Sequence, residues 1–372
     1  MIRVLIVDDS STVRRIMLAA LSGEATVKVV ATASDGLDAL EQLKSFAVDV
    51  VITDLEMPRM NGLELIAELT LKHRGLAVIV MSKAASNSRA TVAALAAGAV
   101  DFVTKPGGDG DNGRMSAESL RNLLVPKIKL HAKGRIGPAW TVGGAKGVLG
   151  GHSATVQYRP NSNAGASQLR KKNPTHRIEA VAIGISTGGP HALARFVTDL
   201  PANLGVPLLI VQHMPPTFTQ LLAERLASGC ALSVKEAKGG ETLSGRGEIW
   251  IAPGGRHLVV HRQGARILLA LSDAAPEQSC RPAADVLMRS MVGVWGKSVL
   301  GVVMTGMGSD GTAGSRAIVE AGGSVLVQDE ASSVVWGMPG SVVRAGLADQ
   351  VVPLEMVASE LSGRVRQGRL LG

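Results

Sequence analysis

Three polar residues stand just beyond runs of the kind that form buried strands. Ser186 follows Ala180 to Ile185 (AVAIGI), His213 follows Pro207 to Val211 (PLLIV), and Asp310 follows Val299 to Met304 (VLGVVM). The runs are β-branched and leucine-rich without polar alternation, as expected of parallel strands covered on both faces. Open α/β sheets bind ligands beyond the carboxyl ends of their strands. A hydroxyl, an imidazole and a carboxylate delivered to one such crevice are the equipment for nucleophilic acyl transfer.

Around Ser186 the segment Gly184-Ile185-Ser186-Thr187-Gly188 fits G-x-S-x-G, a tight strand-to-helix turn that exposes a serine hydroxyl. Gly188, Gly189 and Pro190 then open a helix whose free N–H groups are a source of oxyanion stabilisation. The chain order Ser, His, Asp differs from that of α/β-hydrolases, which place the acid before the histidine. Competing bases are His191, inside the first helical turn after Ser186, and His257 and His261, assigned to a surface hairpin around LVVHRQGARILL. A rival reading rests on Gly306-Met307-Gly308-Ser309-Asp310-Gly311, which fits the dinucleotide fingerprint G-x-G-x-x-G, with Asp329 placed as a ribose-binding acid. Against it, Asp310 would set a carboxylate inside the turn meant to cradle a pyrophosphate.

A second set of acids lies near the N-terminus. Strand candidates Val4 to Val7, Val27 to Ala31, Val48 to Thr53, Ala77 to Met81 and Phe102 to Thr104 alternate with amphipathic, helix-length segments. Such alternation predicts a parallel, doubly wound sheet. Asp8 and Asp9 then end the first strand, Asp54 the third, Ser82 the fourth and Lys105 the fifth. Three carboxylates in one cleft repel one another unless a divalent cation joins them, and oxygen-only ligation suits Mg²⁺.

Over residues 1 to about 106 this constellation resembles the receiver domain of two-component response regulators, a flavodoxin-like fold with a five-stranded parallel sheet. The resemblance implies that Asp54 accepts a phosphoryl group from a histidine kinase. It also implies that Asp9, Asp54 and the backbone carbonyl of Glu56 hold Mg²⁺, with Asp8 acting through water. Ser82, Phe102 and Lys105 take the family's switch positions, Lys105 standing before Pro106 in DFVTKP.

From about 178 to 365 the segments IGISTGGP, QHMPPTFT, ERLA, IAPGGRHL, RPAADVLM, TGMGSDG and SSVVWGMP resemble the catalytic domain of the chemotaxis protein-glutamate methylesterases. By that resemblance Ser186 is the nucleophile, His213 the general base and Asp310 its orienting acid. Thr187 and Met307 line the site, the latter through its backbone N–H, and Arg281 lies near the cleft. The implied reaction is hydrolysis of glutamyl methyl esters on chemoreceptors, with deamidation of receptor glutamines, and the hydrolysis needs no cofactor. A response-regulator adaptor with a degenerate hydrolase fold is the other class the sequence leaves open.

The net charge of +8 is concentrated in one place. Between Gly107 and Thr175 stand eleven Lys and Arg against Asp109, Asp111 and Glu118, in a stretch rich in Gly, Ser, Asn and Pro. That composition reads as a linker rather than a nucleic-acid surface, since no helix-turn-helix or aromatic-interleaved basic face accompanies it. The expected organisation is a receiver over 1–106 with a terminal helix to about 130, a flexible basic linker over 131–175, and a doubly wound α/β methylesterase domain over 176–368. Two cysteines without C-x-x-C spacing, no apolar run long enough to span a bilayer and no leader-like N-terminus predict a cytosolic monomer.

Overall fold

Nearly every uninterrupted apolar run forms a strand with helices on both of its faces. The structure is a computed structural model that describes residues 1–73, 75–83, 88–105, 116–132 and 176–370. Residues 133–175 of the linker and Pro106 lie outside the described residues.

The first half runs β1 (Ile2–Val7), α1 (Ser11–Ser22), β2 (Val27–Ala33), α2 (Gly36–Ser45), β3 (Val50–Asp54), α3 (Gly62–Lys72), β4 (Ala77–Lys83), α4 (Ser88–Ala97), β5 (Asp101–Lys105) and α5 (Ala117–Ala132). Its strands pair in the order β2-β1-β3-β4-β5, all parallel. Polar caps set the helix starts: Asp35 accepts from the Leu37 and Asp38 amides of α2, and Asn61 and Glu64 form a capping box on α3.

The second half continues with β6 (Ala180–Ile185), α6 (Gly189–Thr198), β7 (Leu208–Gln212), α7 (Phe218–Ala227), β8 (Ser233–Glu236), β9 (Glu248–Ile251), and the antiparallel hairpin β10 (His257–Gln263) and β11 (Arg266–Ser272). It closes with α8 (Ala284–Trp295), β12 (Val299–Val303), α9 (Thr312–Glu320), β13 (Ser324–Gln328), α10 (Gly337–Arg344), β14 (Gln350–Val352) and α11 (Leu354–Leu370). A seven-stranded parallel sheet orders these strands β14-β13-β12-β6-β7-β9-β8. The chain therefore reverses direction across the sheet between β6 and β12, the point at which such folds open a crevice.

The two halves pack against each other through α4, which lies on α6 and α7. Val92, Leu95 and Phe102 join Leu193, Phe196, Phe218 and Leu221 in one continuous apolar cluster. Phe102 stacks on Phe218 with ring centroids 5.0 Å apart, and Arg89 pairs with Glu224 at 3.3 Å. Among the described residues no helix is long and apolar enough to cross a membrane.

Candidate active site

Register sets the strands that precede the three polar residues side by side. Val303 of β12 lies opposite Gly184 of β6, which lies opposite Val211 of β7. Ser186 and His213 thus emerge side by side at the carboxyl edge of the sheet, and Asp310 returns to the same edge at the end of the β12–α9 turn. His213 Nε2 is 2.7 Å from Asp310 Oδ2, with the histidine side chain 13% exposed and the aspartate 2%. The carboxylate can only accept, so Nε2 carries the proton and Nδ1 is the basic nitrogen of the neutral ring. Burial opposes charge on His213, but Asp310 and then Cys280 outweigh it and raise its pKa to about 9.

Asp310 is held as firmly as it holds. Oδ2 also accepts from the Ala284 amide at 2.6 Å, while Oδ1 accepts from the Asp285 and Gly311 amides, both at 2.9 Å. Burial works against its negative charge, yet His213 and these amides keep its pKa below the usual carboxylate range. The Gly306-to-Gly311 turn therefore presents a committed carboxylate to an imidazole and is no phosphate cradle.

Two glutamines brace the crevice without being evident from the sequence. Gln212, the last residue of β7, donates from Nε2 to the carbonyls of Ser186 at 2.9 Å and His213 at 3.3 Å, tying the two turns together. Gln328, at the end of β13, accepts from the Thr305 amide at 2.9 Å and donates to the Ser332 carbonyl at 2.7 Å. Thr305 in turn donates its hydroxyl to the Thr187 carbonyl at 2.9 Å. A Cβ on Gly306 would lie only 2.8 Å from Ser186 Cβ, so the turn that carries Met307 presses against the serine. Met307 itself is 61% exposed. Arg281 spends its guanidinium on the Asp273 and Ala274 carbonyls, at 3.2 Å each.

Cys280 also reaches this site. Its sulfur lies 3.6 Å from His213 Nδ1, the nitrogen required for a base. Among the described residues no hydrogen bond joins Ser186 to His213, and the thiol occupies that edge of the ring. The competing histidines are otherwise engaged. His191 donates from Nδ1 to the Ala96 carbonyl at 3.2 Å, across to α4, with burial lowering its pKa. His257 corrects the expectation of a surface position: the hairpin forms, but this ring is fully buried. Its Nδ1 accepts from the Ala283 amide at 3.2 Å, which leaves Nε2 to donate to the Ala275 carbonyl at 3.1 Å. Both nitrogens are spent, whereas His261 is exposed.

In the first half, Asp8, Asp9 and Asp54 offer oxygens that all lie within 4.8 Å of one another. The Lys105 ammonium sits between two of them, 2.8 Å from Asp8 and 2.7 Å from Asp54. Burial is the main influence lifting the Asp8 pKa, against the opposing pull of Lys105, and the two acids keep that lysine's pKa high despite its own burial. A crowded, hard-oxygen donor set already drawing one cation fits a divalent ion such as Mg²⁺. Glu56 is exposed just after β3. Ser82 is buried and its hydroxyl accepts from Thr91 at 2.8 Å, while Phe102 lies in the packing between the two halves.

Comparison with known proteins covers nearly the whole chain. The CheB methylesterase family model matches residues 181–361, and the response regulator receiver domain model matches residues 4–112. The protein-glutamate methylesterase/protein-glutamine glutaminase of Trichodesmium erythraeum is 42% identical over 364 residues, covering 98% of this chain and 99% of that one. Its counterpart in a Nocardioides species is 42% identical over 370 residues, covering 99% and 96%. The crystal structure of the Thermotoga maritima CheB methylesterase catalytic domain is 39% identical, covers 50% of this chain and 98% of that one, and superposes with a TM-score of 0.49. With both halves matched in order and full-length identity of this degree, the chain belongs to the protein-glutamate methylesterase/protein-glutamine glutaminase family.

Proposed function

We propose that Ser186, His213 and Asp310 hydrolyse glutamyl methyl esters and glutamine amides on chemoreceptors, under control of phosphorylation at Asp54. The observation that carries this reading is the 2.7 Å bond from His213 to Asp310 at the same sheet edge as Ser186. Ser186 Oγ attacks the side-chain carbonyl carbon and passes its proton to His213 Nδ1. Asp310 stabilises the imidazolium so formed. The ring then gives that proton to the departing methoxide or amide nitrogen, releasing methanol or ammonia and leaving an ester on Ser186. Water attacks this ester with His213 again as base, and glutamate is released. For the first step the Ser186 hydroxyl must replace the Cys280 thiol at Nδ1. Thr187 and Met307, pressed close by the Gly306 turn, supply the walls and amides that receive the oxyanion, and Arg281 contributes at the rim.

On the receiver side, Asp54 is the phosphoryl acceptor and a histidine kinase the donor. Asp8, Asp9, Asp54 and the Glu56 carbonyl would hold Mg²⁺, which would neutralise the phosphoryl charge. Lys105 is already positioned to pair with the product. Ser82 leaves Thr91 to bond the phosphoryl group, and Phe102 follows, withdrawing from Phe218. Because α6 and α7 follow directly on the turns of Ser186 and His213, that withdrawal loosens the receiver from the flank of the active site. Methanol release from methylated receptor, measured with and without a small-molecule phosphodonor, tests the reading. It requires release that rises with the phosphodonor and Mg²⁺; no release under either condition would leave only an adaptor role.

A further inference from the structure

Helices α8 and α9 enter the active site N-terminus first, and each is closed by an acid from the start of the other. Ala283 offers α8 no side-chain cap. Its free amides are met instead by Asp310, just ahead of α9, which accepts from Ala284 and Asp285. In return Asp285, in the first turn of α8, accepts from the Gly314 amide in the first turn of α9 at 2.6 Å. A Cβ on Gly314 would lie 2.6 Å from Met288 Cβ and 3.1 Å from Asp285 Cα, so the glycine lets the helices approach this closely. Asp285 and Asp310 are each 1% exposed.

The hydrolytic scheme uses only one of these two buried acids. The groups facing Asp285 are Asp310, with His213 beyond it, and Arg289 one turn along α8, itself paired with Glu277. His257, across from Ala283, has both nitrogens committed to backbone groups. Adjacent buried carboxylates repel unless cations offset them, and the cations beside this pair are Arg289 and the His213 imidazolium held by Asp310.

We propose that Asp285 is a positioning residue for the hydrolytic reaction. Through the exchanged caps it fixes Asp310 against His213, and its negative charge strengthens the hold of that pair on the imidazolium. Burial first, then Asp310, raises the pKa of Asp285 to about 6, whereas Asp310 stays low. The sign follows: above that pH Asp285 is ionised and favours charged His213, and below it the contribution is lost. The proposal rests on the triad reading given above.

The test is a titration of the His213 ring by NMR in the full-length protein, paired with the pH dependence of kcat/KM for methanol release. In the wild type the His213 signals should show a second inflection near pH 6, reporting Asp285. Asp285→Asn keeps an oxygen for the Gly314 amide but never ionises. It should erase that inflection, lower the His213 pKa by roughly 0.5 to 1.5 units, about three- to thirty-fold in basicity, and move the pH–rate profile by the same interval. An unchanged His213 pKa, with a rate loss equal at every pH, would reduce Asp285 to a structural cap and overturn the proposal. If Asp285→Asn does not fold, the wild-type titration decides alone, since absence of the inflection overturns it equally. A His213 titration that shifts while the rate profile stays in place would overturn the triad reading itself, and the positioning role of Asp285 with it.

Discussion

Replacing Asp310 by Asn perturbs the site while changing the fewest atoms. Asp310 accepts four hydrogen bonds, from His213 at 2.7 Å and from the amides of Ala284, Asp285 and Gly311 at 2.6, 2.9 and 2.9 Å. Asparagine has only one oxygen, so whichever way it turns, its NH₂ meets a donor. Facing His213 with the NH₂ would impose the wrong tautomer, and facing the amides would leave buried donors unpaired. The pKa of about 9 at His213 should fall toward 6.5, roughly 2.5 units or about 3.4 kcal/mol of lost preference for the imidazolium. Losing the correct tautomer and the stabilised imidazolium together should lower the rate by ~10⁴-fold. Stability should respond with a defined sign. A folded pKa above the unfolded value contributes stability that is fully present below about pH 6.5 and lost as pH rises through about 9. The wild type should therefore weaken across that interval by up to ~3 kcal/mol, and Asp310→Asn should not. The assays are NMR titration of the ring, methanol release, and urea unfolding at both ends of the interval. A wild-type His213 that titrates near 6.5, or a folded Asp310→Asn within tenfold of the wild-type rate, would refute the reasoning.

Phe218→Ala removes the stack on Phe102, worth about 1 to 2 kcal/mol with the apolar contact it carries, so the unphosphorylated rate should rise roughly five- to thirty-fold. An unchanged rate would show that this contact does not restrain the enzyme. Labelling by a small phosphodonor should require Mg²⁺ and vanish in Asp54→Ala; label that persists would place the acceptor elsewhere. Iodoacetamide should inactivate the enzyme by setting a carboxamidomethyl group against His213 Nδ1, while Cys280→Ala resists it. Cys230 should contribute little, because burial raises its thiol pKa. Equal inactivation of Cys280→Ala would remove Cys280 from the site.

The architecture was legible because parallel strands covered on both faces leave an unmistakable run of apolar residues, and function gathers at their carboxyl ends. That single rule located Ser186, His213, Asp8, Asp9, Asp54 and Lys105, whose positions depend only on where a strand stops. Asp310 was less directly legible, because it lies at the far end of the turn after β12, and that turn also matched a nucleotide fingerprint that only its contact with His213 resolves. Hidden from the sequence was everything set by how loops return. Cys280 reaches His213 from 67 positions away, through a segment with no periodicity, and nothing local marks that approach. Asp285 reads as an ordinary first-turn acid of α8 until α9 is seen against it. His257 sits on a strand whose partner suggests exposure, yet the hairpin folds back on α8 and buries it. Gln212 ends a strand, and nothing local shows that its amide ties the serine and histidine turns together.

Methanol release by folded Ser186→Ala tests most directly whether Ser186 is the nucleophile. The measurement uses methylated receptor with phosphodonor and Mg²⁺ present, so that the receiver cannot mask the result. The expected outcome is loss of nearly all turnover with native unfolding behaviour, and a double variant with His213→Gln scarcely slower than either single change. Methanol released by Ser186→Ala at the wild-type rate would contradict the account.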